Sequence, residues 1–204
     1  MIVDPDGRIL AQAGRKQAAI SATLEQEVLE NTRSRFCPGG ERPWAGADQQ
    51  KIVDLKSLKK RLANHRKMGS NIVFTNGCFD ILHSGHVSYL EQARRFGDCL
   101  IVALNSDSSV RALKGETRPV NSEQDRARVL AALGCVDYVV IFKDDTPQKM
   151  IAALLPDVLV KGADWPEEHI VGAAEVKAAG GRVERISFEH QISTTNLIKR
   201  IRHL

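Results

Sequence analysis

From residue 71 onward the chain alternates short β-branched, aliphatic runs with stretches whose apolar residues recur every three or four positions. The runs NIVFTN (71–76), CLIVALN (99–105), YVVIF (138–142), DVLVKG (157–162) and RVERIS (182–187) have the length and composition of strands. Between them lie HVSYLEQARRF, SEQDRARVLAAL, TPQKMIAALL and VGAAEVKAAG, each patterned as a helix. This alternation predicts an α/β fold with an open parallel sheet and helices on both faces. Such sheets bind ligands at the carboxyl ends of their strands, at a topological switch point, so chemistry is expected in the residues just after each strand.

Residues 1–50 break the pattern. The segment RFCPGGERPWAGADQQ, with Pro38, Gly39, Gly40, Pro43 and Gly46, reads as a linker. The chain is therefore divided into an extension over 1–50 and one domain over 51–204. Within the extension, IVDPDGRILAQAG predicts two short extended runs about an Asp-Pro-Asp-Gly turn, and SATLEQEVLENTRSRF predicts a helix capped near Ser21 or Thr23. No apolar run approaches the roughly 18 residues that cross a bilayer. The N-terminal MIVDPDGRILAQAGRKQ has acids and a turn where a signal peptide needs an apolar stretch. A cytoplasmic protein with no membrane partner is expected.

Charge narrows the partners. The net +4 arises after residue 50: the first 50 residues hold six Lys/Arg against seven Asp/Glu, the remainder 23 against 18. Part of the excess is Lys56, Lys59, Lys60, Arg61, Arg66 and Lys67, interleaved with Leu55, Leu58 and Leu62 at helical spacing. This is the pattern of an amphipathic helix with a solvated basic face. No aromatic residue stands among these cations to stack a base, so no nucleic-acid partner is expected. Cys37, Cys78, Cys99 and Cys135 form no CxxC pair and read as reduced structural thiols rather than metal ligands or disulfides.

The first strand runs directly into Thr75-Asn76-Gly77-Cys78-Phe79-Asp80-Ile81-Leu82-His83-Ser84-Gly85-His86, followed by a helical stretch bearing Val87, Leu90, Glu91 and Ala93. Two histidines thus meet a helix N-terminus, where free amides and the positive end of the dipole favour phosphate. Gly77 and Gly85 allow backbone to approach a bulky polyanion, and the imidazoles can donate to phosphoryl oxygens. Neither a P-loop nor a GxGxxG is present, which argues against kinase and dehydrogenase readings. Elsewhere, Asn105 and Asp107 read as turn formers, Asn121-Ser122 opens a helix carrying Arg126, and Ser193 and Thr194 supply cap hydroxyls before LIKRI. Asp164 could cap the helix following Trp165 and Pro166.

The segment TNGCFDILHSGH resembles the signature of the nucleotidylyltransferase superfamily. The likeness continues through LNSDSSVRALKGETRPVNSEQDR (104–126), VDYVV (136–140), PDVLVKGADW (156–165) and ISTTNLIKRI (192–201). These segments are most similar to the adenylyltransferases of ADP-heptose synthesis. Related cytidylyltransferases typically read RTEGIST before the last helix. Here Phe188-Glu189-His190-Gln191-Ile192-Ser193-Thr194 lacks that arginine and glycine; the heptose family more often has an acidic residue and a glycine at 190 and 191.

The resemblance implies a Rossmann-like sheet and transfer of AMP from ATP to a sugar 1-phosphate, D-glycero-β-D-manno-heptose 1-phosphate, for lipopolysaccharide core synthesis. It implies catalytic roles for His83, His86, Lys114 and Arg126. It places Thr75, Asn76, Gly77, Phe79, Asp80, Gly85, Asn105, Asp107, Lys161, Gly162, Asp164, Ser193 and Thr194 around the nucleotide. Magnesium is expected on the triphosphate's own oxygens, with no protein metal ligand. A separate heptose kinase is the expected pathway partner, and an apolar helix face or the extension could form a homodimer. The alternatives are a cytidylyltransferase for a small phosphorylated alcohol such as glycerol 3-phosphate, and a non-catalytic nucleotide-binding module. Over about 35 residues the extension also resembles the final segment of nitrilase-type hydrolases, through DPxGxxL and an E-x-x-R helix. That family's catalytic glutamate, lysine and cysteine region is missing, so a fusion remnant or added extension is expected and no hydrolase activity.

Overall fold

The computed structural model describes residues 2–3, 9–11, 47–163, 166–187 and 193–202. The expected helix at 21–36, Asp164 and residues 188–192 lie outside the described residues. The chain forms two compact units, Met1–Ala47 and Asp48–Leu204. In the first, β1 (Ile2–Val3) and β2 (Ile9–Ala11) pair antiparallel about the Asp-Pro-Asp-Gly segment. The end of the expected linker is helical, as α1 (Ala47–Gln50).

The second unit runs α2 (Leu55–Lys67), β3 (Ile72–Gly77), α3 (Ser84–Arg94), β4 (Cys99–Asn105), α4 (Asp107–Lys114), α5 (Glu123–Ala131), β5 (Tyr138–Phe142), α6 (Gln148–Leu154), β6 (Val158–Gly162), α7 (Ala173–Ala178), β7 (Arg182–Ile186) and α8 (Thr194–Arg202). The five strands form one parallel sheet in the order β5-β4-β3-β6-β7. This is the open parallel sheet that the alternation foretold and the Rossmann-like fold that the resemblance implied. All seven residues of β4 are buried, as an interior strand of a sheet covered on both faces requires.

Side chains alternate across the sheet and divide the core in two. Val73, Leu100, Val102, Leu104, Val139, Val158 and Val160 pack with Tyr89, Leu90 and Ala93 of α3 and with Ala127, Leu130 and Ala131 of α5. Ile72, Phe74, Ile101, Ala103, Val140 and Leu159 face Leu58 and Leu62 of α2, Met150, Ile151 and Leu154 of α6, and Val176 of α7. The period of two in the strands and the apolar stripes of the helices therefore meet on each face. The basic helix behaves as its pattern predicts: Asp54 caps it by accepting from the Ser57 amide at 2.7 Å, Leu58 and Leu62 are buried, and Lys56, Lys59, Lys60, Arg61, Arg66 and Lys67 are exposed.

Two devices set the sheet's margins. Just before β4, β5 and β6 stand Asp98, Asp137 and Asp157, whose carboxylates accept from the amides of Asn71 (2.8 Å), Leu100 (2.7 Å) and Ile72 (2.7 Å) at the start of the neighbouring strand. Each strand is thereby tied to its neighbour at the amino end. The exposed side of β5 is covered by Lys51–Val53: the Val53 amide donates to the Val139 carbonyl at 3.0 Å, and the Val139 amide to that of Lys51 at 2.9 Å. Covering an edge strand removes a row of unpaired backbone groups.

Candidate active site

Strand order reverses at β3, which has β4 on one side and β6 on the other. The β3–β4 ladder reaches Gly77↔Leu104, whereas the β3–β6 ladder consists of Val73↔Val158 and Phe74↔Leu159. Beyond Phe74 the carboxyl ends of β3 and β6 are no longer paired, and this is where a switch-point crevice belongs. Residues 78–83 leave β3 at that point and enter α3.

His83 is the N-cap of α3, with extended backbone and no side-chain cap, so no side chain competes with a ligand for the first-turn amides. Its carbonyl accepts from the amides of His86 (2.9 Å) and Val87 (3.2 Å), which starts the helix. The two imidazoles stack, with centroids 3.8 Å apart and planes 24° from parallel, and Phe79 meets the His86 ring edge-on at 5.2 Å. The Nδ1 atoms of His83 and His86 and the Oδ1 of Asn76 are buried with no hydrogen-bond partner. Buried polar atoms left unmatched in the protein are what a polar ligand would satisfy. Burial lowers both imidazole pKa values; for His86, with the neighbouring His83 adding to the effect and a backbone hydrogen bond to Ile81 opposing it, the value falls to about 4. Near neutrality both rings are uncharged, each with one N–H to give and one nitrogen to accept.

Local backbone fixes this arrangement. Phe79 has φ 42°, a left-handed conformation that costs a bulky residue energy and that surrounding contacts must hold. A Cβ at residue 77 would stand 2.9 Å from Cε2 of the Phe79 ring. Gly77 therefore makes room for an aromatic ring, a different use from the ligand approach expected of it. Gly85 is buried in the first turn of α3.

Several expected ligand contacts are instead struts. Thr75 is fully buried, its hydroxyl 2.8 Å from that of Tyr89 on α3. Asp80 accepts from Arg118 Nε (2.5 Å) and the amides of Val120 (2.8 Å) and Asn121 (3.0 Å). Burial alone would push its carboxyl up, but these hydrogen bonds together with the Arg118 charge hold it below the usual carboxylate range. Asn105 is buried and donates to the Ser109 hydroxyl at 2.9 Å. Arg126, expected to face the phosphates, has a side chain with 0% exposure; its guanidinium donates to the carbonyls of Asn121 (3.0 Å), Cys78 (2.6 Å) and Asn105 (2.9 Å) and to Asp107 Oδ1 (2.7 Å). It is spent on protein oxygens. Asp107 is no turn former: it opens α4, an eight-residue helix that the strand-and-helix pattern did not reveal, capped by Ser106.

The remaining expected residues stand at the ends of elements. Lys114 is exposed at the end of α4. Burial pushes the Cys78 thiol up, while the charges of Lys114, Arg126 and Arg118 pull it down and that of Asp80 adds to the rise. Lys161, half-buried, and Gly162 end β6. Ser193 caps α8, accepting from the Asn196 amide at 3.2 Å, and the Thr194 hydroxyl donates to the Ile81 carbonyl at 3.3 Å. That bond ties the α8 N-terminus to the histidine loop across more than a hundred residues of sequence. A separate hollow at the start of α6, lined by Asp144, Asp145, Thr146, Gln148, Lys149, Ala152 and Glu175, contains none of these residues. Its three carboxylates against one lysine make it a poor seat for a polyanion.

The chain is similar to proteins described as bifunctional protein HldE: 60% identical over 146 residues to that of Photorhabdus laumondii, covering 72% of this chain and 31% of the relative. It is 54% identical over 180 residues to that of Methylobacillus flagellatus, covering 88% and 34%. The chain thus spans about a third of these relatives' length, and the second match is long enough to run into the first 50 residues. Among solved structures, a lipopolysaccharide core biosynthesis protein from Thermoplasma volcanium aligns with TM-score 0.51 and 26% identity, over 60% of this chain and 99% of that one. Pantoate-beta-alanine ligase from Francisella tularensis shares the fold, with TM-score 0.52 and 16% identity, over 72% of each chain. The family model described as cytidylyltransferase-like matches residues 74–200, from the strand that leads into the histidine loop to the last helix. With more than half its length in that match, the chain belongs to the cytidylyltransferase-like family of nucleotidyltransferases.

Proposed function

We propose that the chain is an adenylyltransferase that moves AMP from ATP to D-glycero-β-D-manno-heptose 1-phosphate, giving ADP-heptose and pyrophosphate for lipopolysaccharide core synthesis. The observation that carries nucleotidyl transfer is the stacked His83–His86 pair, with unmatched buried Nδ1 atoms, on the uncapped N-terminus of α3 at the switch point. The heptose acceptor and adenine rest on the sequence likeness and on the relatives described above.

In this reaction an oxygen of the sugar phosphate attacks the α-phosphorus of ATP, the bond from that phosphorus to the bridging oxygen breaks, and pyrophosphate leaves with the electron pair. No covalent enzyme intermediate is needed; the protein positions the reactants and neutralises charge spreading over the phosphoryl oxygens. The imidazoles of His83 and His86 face those oxygens with the α3 amides behind them; the negative charge of a bound triphosphate favours the protonated rings, in which the unmatched Nδ1 atoms also donate. Lys114, Lys161 and the α8 N-terminus at Ser193 and Thr194 border the triphosphate. Mg²⁺ carried on the triphosphate's own oxygens would supply further positive charge there. A kinase activity supplies the sugar 1-phosphate.

The test is pyrophosphate release from ATP with heptose 1-phosphate, run beside CTP with glycerol 3-phosphate. Release is expected in the first mixture, with His83→Ala and His86→Ala each lowering it at least about 100-fold while the fold survives. Preference for CTP would replace the reading with a cytidylyltransferase. ATP binding without release from any sugar phosphate would replace it with a non-catalytic module.

A further inference from the structure

We infer that Arg126 is a positioning residue: its buried guanidinium, with Asp80 as a second hub, fixes the histidine loop against helix α4 and so sets where the His83 and His86 rings stand. The inference rests on the nucleotidyl-transfer reading of this site and assigns within it a role that direct phosphate contact does not.

Arg126 stands on α5 and its four donated bonds go to three different segments. One reaches the Cys78 carbonyl, in the loop between β3 and the histidines. Two reach the Asn105 carbonyl and the Asp107 carboxylate, at the end of β4 and the first residue of α4. The fourth reaches the Asn121 carbonyl, in the segment between α4 and α5. Asp80 closes the circuit: it sits two residues beyond Cys78 and accepts from Arg118 and the amides of Val120 and Asn121, while the Asn121 side chain donates back to the Asp80 carbonyl at 2.8 Å. The Asp107 amide is further held by Glu123 of α5 at 2.7 Å.

These contacts join the histidine loop to α4 and the end of β4, all on one side of the crevice, rather than lining it. Helix α4 starts at Asp107, under the guanidinium, and ends at Lys114; the next residues, 118–121, return to Asp80. Rotating or sliding α4 therefore requires breaking bonds to Arg126 at one end or to Asp80 at the other. A planar, always-charged group with donors in fixed directions suits this task, and a lysine cannot make all four bonds. Because the side chain is fully buried and every bond ends on a protein oxygen, a phosphate could reach it only by displacing part of the network.

The experiment combines kinetics with a ligand-free spectrum, using Arg126→Lys and Asp107→Ala in the full chain. Asp107 is partly exposed, so its substitution removes one partner of Arg126 while sparing the carbonyl bonds. Each variant is expected to lose about 10- to 100-fold in kcat for pyrophosphate release, with the KM for ATP within about twofold, because misplacement by an ångström costs rate more than binding. In the absence of substrate, the ring resonances of the stacked His83 and His86 should shift in both variants at temperatures where they remain folded. A rise in KM with kcat unchanged would overturn the inference by making Arg126 a phosphate ligand. Native ring resonances in both folded variants would overturn it by making the network merely structural. The spectrum is read without turnover, so failure to find an active substrate pair would strike the functional reading and leave this one decided by the ring signals.

Discussion

At His86 burial works against protonation, and the consequence can be followed with its sign. Unfolded, the imidazole takes up a proton near the ordinary value of 6.5; folded, it does so only at about 4. Between those limits the unfolded chain binds a proton that the folded chain does not, so this residue's contribution to stability falls as pH drops from 6.5 to about 4 and is constant below. His86→Gln should flatten that part of the profile, which urea denaturation at pH 4.5 and 7 would show. A variant whose loss of stability over that interval matches wild type would mean that His86 titrates normally. Asp137, whose carboxyl burial raises, responds in the opposite sense, so the comparison is variant against wild type. The histidines were legible in the sequence because spacing placed both at a helix N-terminus. The destinations of Asp80 and Arg126 were not: their partners lie as far as 41 and 48 residues away, and residue type does not say whether a buried cation meets phosphate or carbonyl.

Strands and most helices followed their sequence patterns to within about two residues, because each face of the sheet had to be apolar. Helix α4 escaped notice because Val110 is its one buried aliphatic residue and Leu113 is exposed, too little for a helical stripe. Its ends carried the better signal: Ser106 as cap and Gly115, with φ 94°, as terminator. The aspartates before β4, β5 and β6 were also overlooked, since the amides they hold lie 27, 37 and 85 residues away. Asp157→Ala would leave the Ile72 amide without its acceptor and should cost about 1–3 kcal/mol, lowering the melting temperature by about 2–4 °C per kcal/mol. Because this bond lies at the amino end of the sheet, opposite the histidines, turnover by the folded variant should match wild type. A loss of kcat at a temperature where the variant is fully folded would show that strand register reaches the site.

On the scale of the whole molecule, the catalytic reading belongs to the unit Asp48–Leu204, which contains every described residue of the site. Among the described residues no helix is long and apolar enough to cross a membrane. The match to the Methylobacillus flagellatus protein takes in part of the first 50 residues, so part of the expected extension is shared with a relative described as a bifunctional protein. Within the sheet, the seam between β3 and β6 is short: two paired positions, against six between β3 and β4 and five between β6 and β7. It divides the sheet into a leaf of β5, β4 and β3, and a leaf of β6 and β7 that must come back across the first. Local opening follows the boundary with fewest backbone bonds, so amide hydrogens of β6 and β7 should exchange with deuterium sooner than those of β4. A triphosphate gripped by His83 on one leaf and Lys161 on the other should slow that exchange, and equal protection in both leaves would refute the division. On the proposed reading, the crevice offered to the nucleotide is also the line along which the native protein breathes, and substrate would close it as a stitch closes a seam.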